Sequence, residues 1–594
     1  MIRLKKILLF ALVLAIPFAN ILAQKKGKSK SKTKAKHTII AKKAKASKKH
    51  VGLKRTVKSN SVIKNTQLKT VDPSILLDSL SPSVVTVTSV FKPSLRNAAK
   101  INFTAATPFI DTSKMPLTYN IPSQNLFFSY QPVAIRPIAL VIDSTFHWEN
   151  HHYIKAGMGN FSTPYLEVAA AFGDGKKSLI NLKGNYTSST GNIALQQFEK
   201  SGIDALGIFN KNNHELTSRI YFNNSIQYKY GNAGITSFSK DQLLQAFNIV
   251  GIDLGVHNKL ANDFGVTYHP QLQGNVFFDH RNATENNFIL KAPINKAFSK
   301  VISFDLNFTA DLTSLKTPVV NIANNLFIIN PTLQFKTPNF KLSGGIAPSW
   351  DNQQLSILPN IIFEEKVKDE KLILEAGWVG YYHKNTYQSL SAINPYIQQP
   401  TALLNSKILE EYAGVKGSAG KHFTYNARLS FLQINNQPLF VNDTAIINAQ
   451  TFDVLYEPSL NAMRIHAEVA YSLQEKLSFM TSANFTTYTH QQLYTKPFGL
   501  LPIELTGSIR YKVLKDLQLK SDLFFFDGSN YRTNNLQVQK TPAALDFNAG
   551  AEFSIKPKLN LWIQFNNLLN SHYQRWNQYE VLGFNFIGGV VYSF

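Results

Sequence analysis

The sequence predicts an all-β protein, a transmembrane antiparallel β-barrel that follows an N-terminal arm without a folded core. From about residue 150 onward, apolar and polar residues alternate with a period of two, as in strands with one wet face. The alternating segments reach about 11 residues, which suits a tilted membrane strand, whereas strands of soluble sheets commonly have about 5–6. Short and long connections also alternate, as in outer-membrane barrels. A soluble β-sandwich shares the alternation but not these lengths.

The first 23 residues have the features of a secretory signal peptide. Lys5 and Lys6 precede an apolar run over residues 7–18, and small residues around Ala23 suit cleavage there. The run is shorter than the roughly 20 residues that a membrane-spanning helix needs. The chain has no cysteine, which excludes a lipoprotein anchor, disulfides and cysteine chemistry.

Residues 24–70 form a predicted Lys-rich, disordered arm in the periplasm. The segment from Lys25 to Lys58 holds fourteen Lys and one Arg without an acidic residue, so it supplies more than half of the net charge of +25. Such a segment repels itself and has too few apolar residues to fold. It could contact anionic cell-envelope polymers, lipids or a periplasmic protein, or act only as a linker. Nucleic acid is not an expected partner, because no aromatic residue is interleaved with the lysines and the chain is exported.

Residues 71–148 are punctuated by eight prolines, which disfavour regular helix. We expect an extended segment that lies either in the periplasm or inside the barrel lumen. The sequence does not choose between these two places.

The barrel is predicted over residues 149–594. In its last strand, seven apolar or small residues from Leu582 to Phe594 share one face, and Asn585 and Ser593 lie on the other. Counting short turns back from the C-terminus gives ten, which join 22 strands. The predicted turns are Gly173 to Gly175, Asn223 to Ser225, Lys259 to Asp263, Ser299 to Lys300, Thr337 to Asn339, Lys368 to Lys371, Gly420 to His422, Gln474 to Lys476, Leu514 to Asp516 and Lys556 to Lys558.

Long outer loops are predicted at residues 188–212, 232–245, 385–406 and 527–541. The loop that starts at Asn385 is rich in aromatic and amide side chains. It could stack on sugars or hydrophobic ligands, or it could simply cap the barrel.

Ten polar side chains on the inward phase of the late strands are predicted to line the lumen. They are Arg464, His466, Glu468, Glu504, Arg510, Lys512, Lys520, Asp522, Asp546 and Glu552. They could line a polar conduit or hold a plug segment. A large barrel also needs a polar, ion-paired interior simply because water or protein fills it.

Other motifs carry little chemistry. His147, Glu149 and His151 share a strand face and could bind a metal weakly, but rim residues beside an aromatic girdle are the more common arrangement. The glycine-rich run from Gly414 to Lys421 lacks the pattern and the following helix of a phosphate-binding loop. No Gly-x-Ser-x-Gly elbow occurs. We therefore predict no enzymatic activity, no cofactor and no metal site.

Two features near the C-terminus resemble TonB-dependent receptors. The run from Asn566 to Tyr573 is similar to that family's Asn-Leu-x-Asn/Asp-x-x-Tyr signature, and the aromatic end Tyr592-Ser593-Phe594 is similar to the terminus that the barrel-assembly machinery recognises. The resemblance implies a 22-stranded barrel in the outer membrane of a Gram-negative bacterium and transport or permeation of an unidentified solute. A glycine-rich plug domain and a TonB box are not recognisable in the sequence, so energised uptake is not implied. The alternative is a structural or assembly barrel that anchors periplasmic partners or cell wall through its basic arm.

Overall fold

The computed structural model of the protein describes residues 152–594, except 232–237, 444–449 and 475. The predicted signal peptide, the Lys-rich arm and the Pro-rich segment lie outside the described residues. The described chain is nearly all β, with two short helices, α1 Lys240–Leu243 and α2 Tyr387–Ile393. Neither helix has the length and apolar character needed to cross a membrane.

The main sheet is a closed barrel of 22 antiparallel strands, which confirms the predicted fold and strand count. Its strands are β1 Tyr153–Gly159, β2 Thr163–Gly173, β3 Ser178–Ser189, β4 Phe198–Lys211, β5 His214–Tyr228, β6 Leu244–Asn258, β7 Val266–Tyr268, β8 Gln271–Asp279, β9 Thr284–Ala297, β10 Ile302–Lys316, β11 Asn321–Lys336, β12 Phe340–Asp351, β13 Gln354–Lys368, β14 Leu372–His383, β15 Ser406–Ala419, β16 Phe423–Asn435, β19 Leu460–Leu473, β20 Leu477–Thr489, β21 Ile503–Lys512, β22 Leu517–Phe526, β25 Ala544–Lys556, β26 Leu559–Asn566 and β29 Asn585–Ser593. Segments β7 and β8 both pair with β9 and together count as one interrupted strand.

Three small hairpins lie in the long loops. They are formed by β17 Gln437–Asn442 with β18 Phe452–Glu457, β23 Asn530–Arg532 with β24 Val538–Lys540, and β27 Gln574–Trp576 with β28 Tyr579–Glu580.

The barrel closes where its first and last strands pair. β1 pairs with β2 on one side and with β29 on the other, so that Tyr153 lies opposite Ser593 and Gly159 opposite Ile587. The closed sheet therefore has no unpaired edge, which removes the backbone donors and acceptors that a bilayer cannot satisfy.

The outer face of the wall is apolar along the strands. In β19, Met463 and Ile465 point outward and are exposed, whereas Arg464 between them faces the lumen and is only partly exposed. In β29, Val590 and Tyr592 face outward in the same way. A mainly apolar exterior around a polar interior is the arrangement that lipid requires of a membrane barrel.

Nine of the ten predicted turns lie at short connections between wall strands. The turn after β2 shows how local sequence sets them. The Asp174 carboxylate accepts hydrogen bonds from the backbone N–H groups of Lys176, Lys177 and Ser178 at 2.7–3.0 Å. Gly175 adopts a φ of 65°, a conformation that glycine tolerates best.

The predicted turn at Asn223 to Ser225 is wrong. These residues lie inside β5, which pairs with β4 and β6 through this segment, and the Asn224 amide donates to Asn248 at 2.8 Å. The hairpin lies instead at Asn212, whose φ is 53°. An asparagine pair suits a turn, but in β5 cross-strand pairing outweighs that local preference.

The predicted outer loop over residues 188–212 is therefore also wrong, because it contains the whole of β4. Only the residues between Ser189 and Phe198 form the loop there. The strand count stays at 22 because one hairpin replaces another.

Candidate functional site

The ten polar residues predicted to line the lumen lie on the inner face of β19, β21, β22 and β25. Their neighbours along each strand are outward-facing apolar side chains such as Ile465, Ile509 and Leu523. Arg464, His466 and Glu468 are in β19, Glu504, Arg510 and Lys512 in β21, Lys520 and Asp522 in β22, and Asp546 and Glu552 in β25.

Several of these residues pair across neighbouring strands. Arg510 Nη2 lies 2.9 Å from Asp522 Oδ1, and Lys520 Nζ lies 3.8 Å from Glu552 Oε2. Where opposite charges pair in this way, each largely cancels the field of the other in the lumen. These four residues thus form two separate ion pairs, and the ten residues are distributed over four strands.

Asp546 has a second role. Its Oδ2 accepts a hydrogen bond from the Tyr573 hydroxyl at 2.7 Å, which fixes the loop between β26 and β29 to the inner wall. Tyr573 also packs edge-on against Phe526, with ring centroids 5.5 Å apart. The family-like run that ends at Tyr573 therefore contributes a structural anchor.

The start of that run is equally structural. Asn567 has a φ of 47°, and its side chain accepts from the Ser571 N–H at 2.8 Å while its amide donates to Ser571 O and Leu582 O. The asparagine side chain thereby replaces the backbone partners that the loop cannot supply itself.

A tighter charge cluster lies on the inner faces of β13 to β16 and escaped the sequence analysis. Arg428 donates from Nε and Nη2 to Glu375 Oε1 at 2.9 and 2.6 Å. Lys416 Nζ lies 3.0 Å from Glu375 and 2.7 Å from Glu364. The Arg428 guanidinium also lies 4.0 Å above the Tyr412 ring.

A third inner cluster is built around Arg219 in β5. Its Nε donates to Asp204 at 2.6 Å and its Nη1 lies 3.6 Å from Asp253. The same alternation that selected the ten late residues also places these charges on the inward phase of their strands. Alternation therefore identifies inner-wall charges in these earlier strands as well as in the last third of the chain.

The long connections all lie at one end of the barrel, where they pack into a cap around a hydrophobic core. We call this assembly the loop cap. It consists of the described residues in 229–243, 384–405, 436–459, 490–502, 527–543 and 567–584. Loop residues join residues from the rim of the wall in a buried cluster of Tyr230, Phe247, Phe277, Ala283, Leu315, Tyr387, Leu390, Ile393, Tyr396, Ile397, Leu403, Phe440, Phe452, Trp576 and Tyr579.

Stacked and edge-on aromatic rings hold the loop cap together. The rings of Tyr396 and Tyr579, from two different loops, are parallel with centroids 3.5 Å apart, and Tyr230 packs edge-on against Tyr579 at 5.1 Å. Trp576 packs edge-on against Phe440 and Phe452 at 5.2 and 5.5 Å. Aromatic pairs in these geometries each add about 0.5–1.5 kcal/mol beyond the area that they bury.

The aromatic loop that starts at Asn385 belongs to this core. Thr386 caps α2 in a reciprocal arrangement with Ser389, and Tyr387 and Tyr396 are only 1% and 6% exposed. Of the two roles left open by the sequence, the geometry favours capping, because these rings already pack against protein.

Carboxylates near the loop ends of the wall strands anchor the loop cap to the wall. Buried Glu285 accepts the backbone N–H groups of Tyr387 and Gln388 at 2.5 and 3.1 Å. The Tyr387 hydroxyl donates to Asp279 at 2.9 Å. Lys384 Nζ lies 3.3 Å from Asp311 Oδ1. Each of these contacts joins segments that are distant in sequence, so no local sequence motif predicts them.

Burial in the loop cap shifts the proton affinity of two side chains strongly. Lys229 is 2% exposed, and desolvation lowers its pKa to about 7, with nearby Arg281 lowering it further and Asp279 opposing the shift. Desolvation also raises the pKa of Tyr387 well above its ordinary range, and Asp279 adds to that shift.

Neither of the two other motifs considered in the sequence forms a site among the described residues. His147, Glu149 and His151 lie outside the described residues, while the ring of His152 stacks on that of Phe594 with centroids 5.6 Å apart. The run from Gly414 forms the end of β15 and the following turn, so it does not precede a helix as a phosphate-binding loop would.

Comparison with solved structures identifies the barrel class. The FrpB iron transporter from Neisseria meningitidis has a TM-score of 0.57 at 10% identity, covering 76% of this chain and 82% of that one. The siderophore receptor PirA from Acinetobacter baumannii gives 0.58 at 8% identity, with coverage of 75% and 80%. The ferric enterobactin receptor PfeA from Pseudomonas aeruginosa, in a mutant form, gives 0.56 at 11% identity, with coverage of 75% and 80%.

The described chain therefore has the barrel fold of TonB-dependent receptors, which confirms the resemblance seen in the sequence. No protein-family model and no curated protein matches the sequence. These structural neighbours are receptors and a transporter, and at such low identity the likeness extends to the fold alone.

Proposed function

We propose that the protein forms a gated passage for a polar solute across the outer membrane of a Gram-negative bacterium, with the loop cap as its gate. The observation that carries this proposal is a loop cap that packs onto the rim at the mouth of a barrel whose inner wall is charged and whose outer wall is apolar. A barrel that serves only as an anchor needs no such closure.

The inner wall suits a polar solute that carries groups of both signs or none. Paired charges such as Arg510 with Asp522 and Arg428 with Glu375 offer hydrogen bonds without a strong net field. The three structural neighbours above are named as an iron transporter, a siderophore receptor and a ferric enterobactin receptor, so we propose ferric siderophores as the first solutes to test. The ten late inner-wall residues are proposed to line the path.

Removing the anchor of the loop cap is the sharpest test. Glu285→Ala leaves the backbone N–H groups of Tyr387 and Gln388 without their carboxylate and should release the segment over the lumen. The matched control is Asn286→Ala, an exposed neighbour on the outer face of the same strand.

In planar bilayers we expect low conductance from the full-length wild type and from Asn286→Ala, and larger, longer openings from Glu285→Ala. A variant lacking residues 71–148 tests whether that segment occupies the lumen, since its removal should then raise conductance further. Absence of conductance in every form would contradict the passage. Equal conductance in the wild type and Glu285→Ala would contradict gating by the loop cap.

The structural or assembly alternative depends on the segment from Lys25 to Lys58, which lies outside the described residues. Contacts of that segment with anionic envelope polymers or a periplasmic protein, and assembly of the barrel by the barrel-assembly machinery, stay predictions.

A further inference from the structure

One charged side chain lies in the apolar belt of the outer wall. Glu411 is on β15, five residues from Ser406 at the loop end and eight from Ala419 at the turn end. It is exposed, and it faces outward because Glu410, its neighbour, bonds to Ser430 inside the barrel. Among the described wall strands, no other outward-facing Asp, Glu, Lys or Arg lies more than three residues from both ends of its strand.

The register places Glu411 at the upper boundary of this belt. Its cross-strand neighbours are Trp378 on β14 and Phe431 on β16, both exposed to the outside. In the next outward row toward the loop end, Gln433 introduces polarity opposite Leu409. Tryptophan is common at the interface between lipid headgroups and hydrocarbon, so the Glu411 carboxylate lies at the depth where a headgroup meets its acyl chains.

A groove opens directly beside this carboxylate. It has a volume of about 400 Å³ and is lined by Glu411, Trp378 and Phe431 at its upper side. Ala376 and Ala413, which pair across β14 and β15, form its floor one row further toward the turn end. The bulkier side chains of Phe363 and Leu429 flank that floor.

We propose that this groove binds a lipid with a primary-amine headgroup, whose ammonium pairs with Glu411 and whose acyl chain lies over Ala376 and Ala413. A carboxylate facing hydrocarbon is unfavourable without a partner, and an isolated charge at membrane depth implies a specific one. The complementary group is a cation with N–H donors. The groove leads from the charge into the middle of the apolar belt, which is the path of an acyl chain.

A second copy of this chain is a poorer occupant. Symmetric contact through this face would bring two Glu411 carboxylates together, and like charges repel strongly in an apolar medium. A lipid amine supplies the missing charge and fills the groove at once. The proposal is independent of transport through the lumen.

Trp378 provides the reporter, because bromine atoms on acyl chains quench tryptophan fluorescence on contact. Full-length protein is reconstituted in bilayers that contain a minor fraction of brominated lipid with an ethanolamine, choline or glycerol headgroup and otherwise identical chains. The signal of Trp378 is isolated by difference from a Trp378→Phe variant.

We expect brominated phosphatidylethanolamine to be enriched at Trp378 about threefold over the other two lipids, the size of effect for one half-exposed ion pair. Glu411→Gln should abolish this preference, while Glu365→Gln, which alters an exposed carboxylate near the turn end of β13, should retain it. Ala413→Leu should reduce quenching by all three lipids because it fills the floor of the groove.

Equal quenching by the three lipids would overturn the proposal, and so would a preference that survives Glu411→Gln. In the first case, cross-linking of position 413 to an apolar segment of another protein would assign the groove to a protein partner instead. Heat-dependent mobility on gels confirms that each variant is folded before it is compared.

Discussion

The two ends of the barrel are built in different ways. At the turn end, contacts are local, as when the Asp174 carboxylate binds N–H groups two to four residues away. At the loop end, Tyr230 donates to the carbonyl of Glu580, 350 residues later, and Tyr387 to Asp279, 108 residues earlier. The turn end is stabilised by contacts between residues close in sequence. The loop end is stabilised by contacts between loops that are distant in sequence and that come together only in the folded barrel.

This difference implies separate stabilities. The loop cap is held by a buried cluster that it shares with the rim of the wall, whereas the rest of the wall is held by continuous strand pairing. Local opening of the loop cap therefore need not disturb the wall, as with other cooperative units inside one protein. Three substitutions test this separation, and they follow in order of expected effect.

Tyr579→Ala should have the largest effect. Tyr579 is 2% exposed, stacks on Tyr396 and donates its hydroxyl to the Gln450 carbonyl. Truncation of a buried aromatic side chain typically costs about 3–5 kcal/mol. Amide hydrogen exchange should accelerate across the loop cap but not in the wall strands.

Leu569→Ala is the control for that experiment, since Leu569 lies in the same loop but is exposed. Equal acceleration in the wall strands after Tyr579→Ala would show that the two parts unfold as one.

Lys229→Met should stabilise the loop cap by about 1–3 kcal/mol at neutral pH, because an apolar side chain replaces a buried amine whose charged form is disfavoured by desolvation. The pKa of Lys229 is about 7 when the loop cap is closed, whereas a lysine exposed to water, as in the open state, has the ordinary value of 10.5. Between these two pH values the closed state binds fewer protons than the open state. The free energy of closure therefore becomes more favourable as pH rises from 7 toward 10.5. Below pH 7 Lys229 is protonated in both states, and its unfavourable contribution to closure is constant.

Amide exchange in the loop cap should therefore slow between pH 7 and 9, after correction for intrinsic exchange rates, and Lys229→Met should remove this dependence. Lys240→Met, which alters an exposed lysine of α1, should leave it unchanged. A pH dependence that persists in Lys229→Met would assign it to another group.

Asp174→Ala at the turn end should have the smallest effect. Backbone N–H groups, first that of Ser178 and then those of Lys177 and Lys176, lower the pKa of Asp174. Its contribution is present above the ordinary carboxylate pKa and is lost as pH falls through the lowered one. We expect faster exchange confined to the turn, and any change in the loop cap would argue for coupling between the two ends.

The same contrast explains what the sequence could predict. Alternation identifies the inner and outer faces, because a closed wall between lipid and lumen forces each residue to one side. Nine turns follow from local residues. The tenth prediction fails because Asn223 and Asn224 have a turn preference that strand pairing overrides. The loop cap escapes prediction because its contacts, such as Glu285 with Tyr387, depend on chain segments that only the closed barrel brings together.

The pairing of β1 with β29 has a kinetic consequence. It joins Tyr153 to Ser593, so the seam has the largest sequence separation of any pairing in the wall. Pairings of such high contact order form slowly, because loop closure must precede any gain from contact. Until the final strand pairs with β1, the incomplete sheet has two edges with unpaired backbone groups, which can form hydrogen bonds with other chains. The final nine-residue strand thus controls how long the molecule remains prone to aggregation.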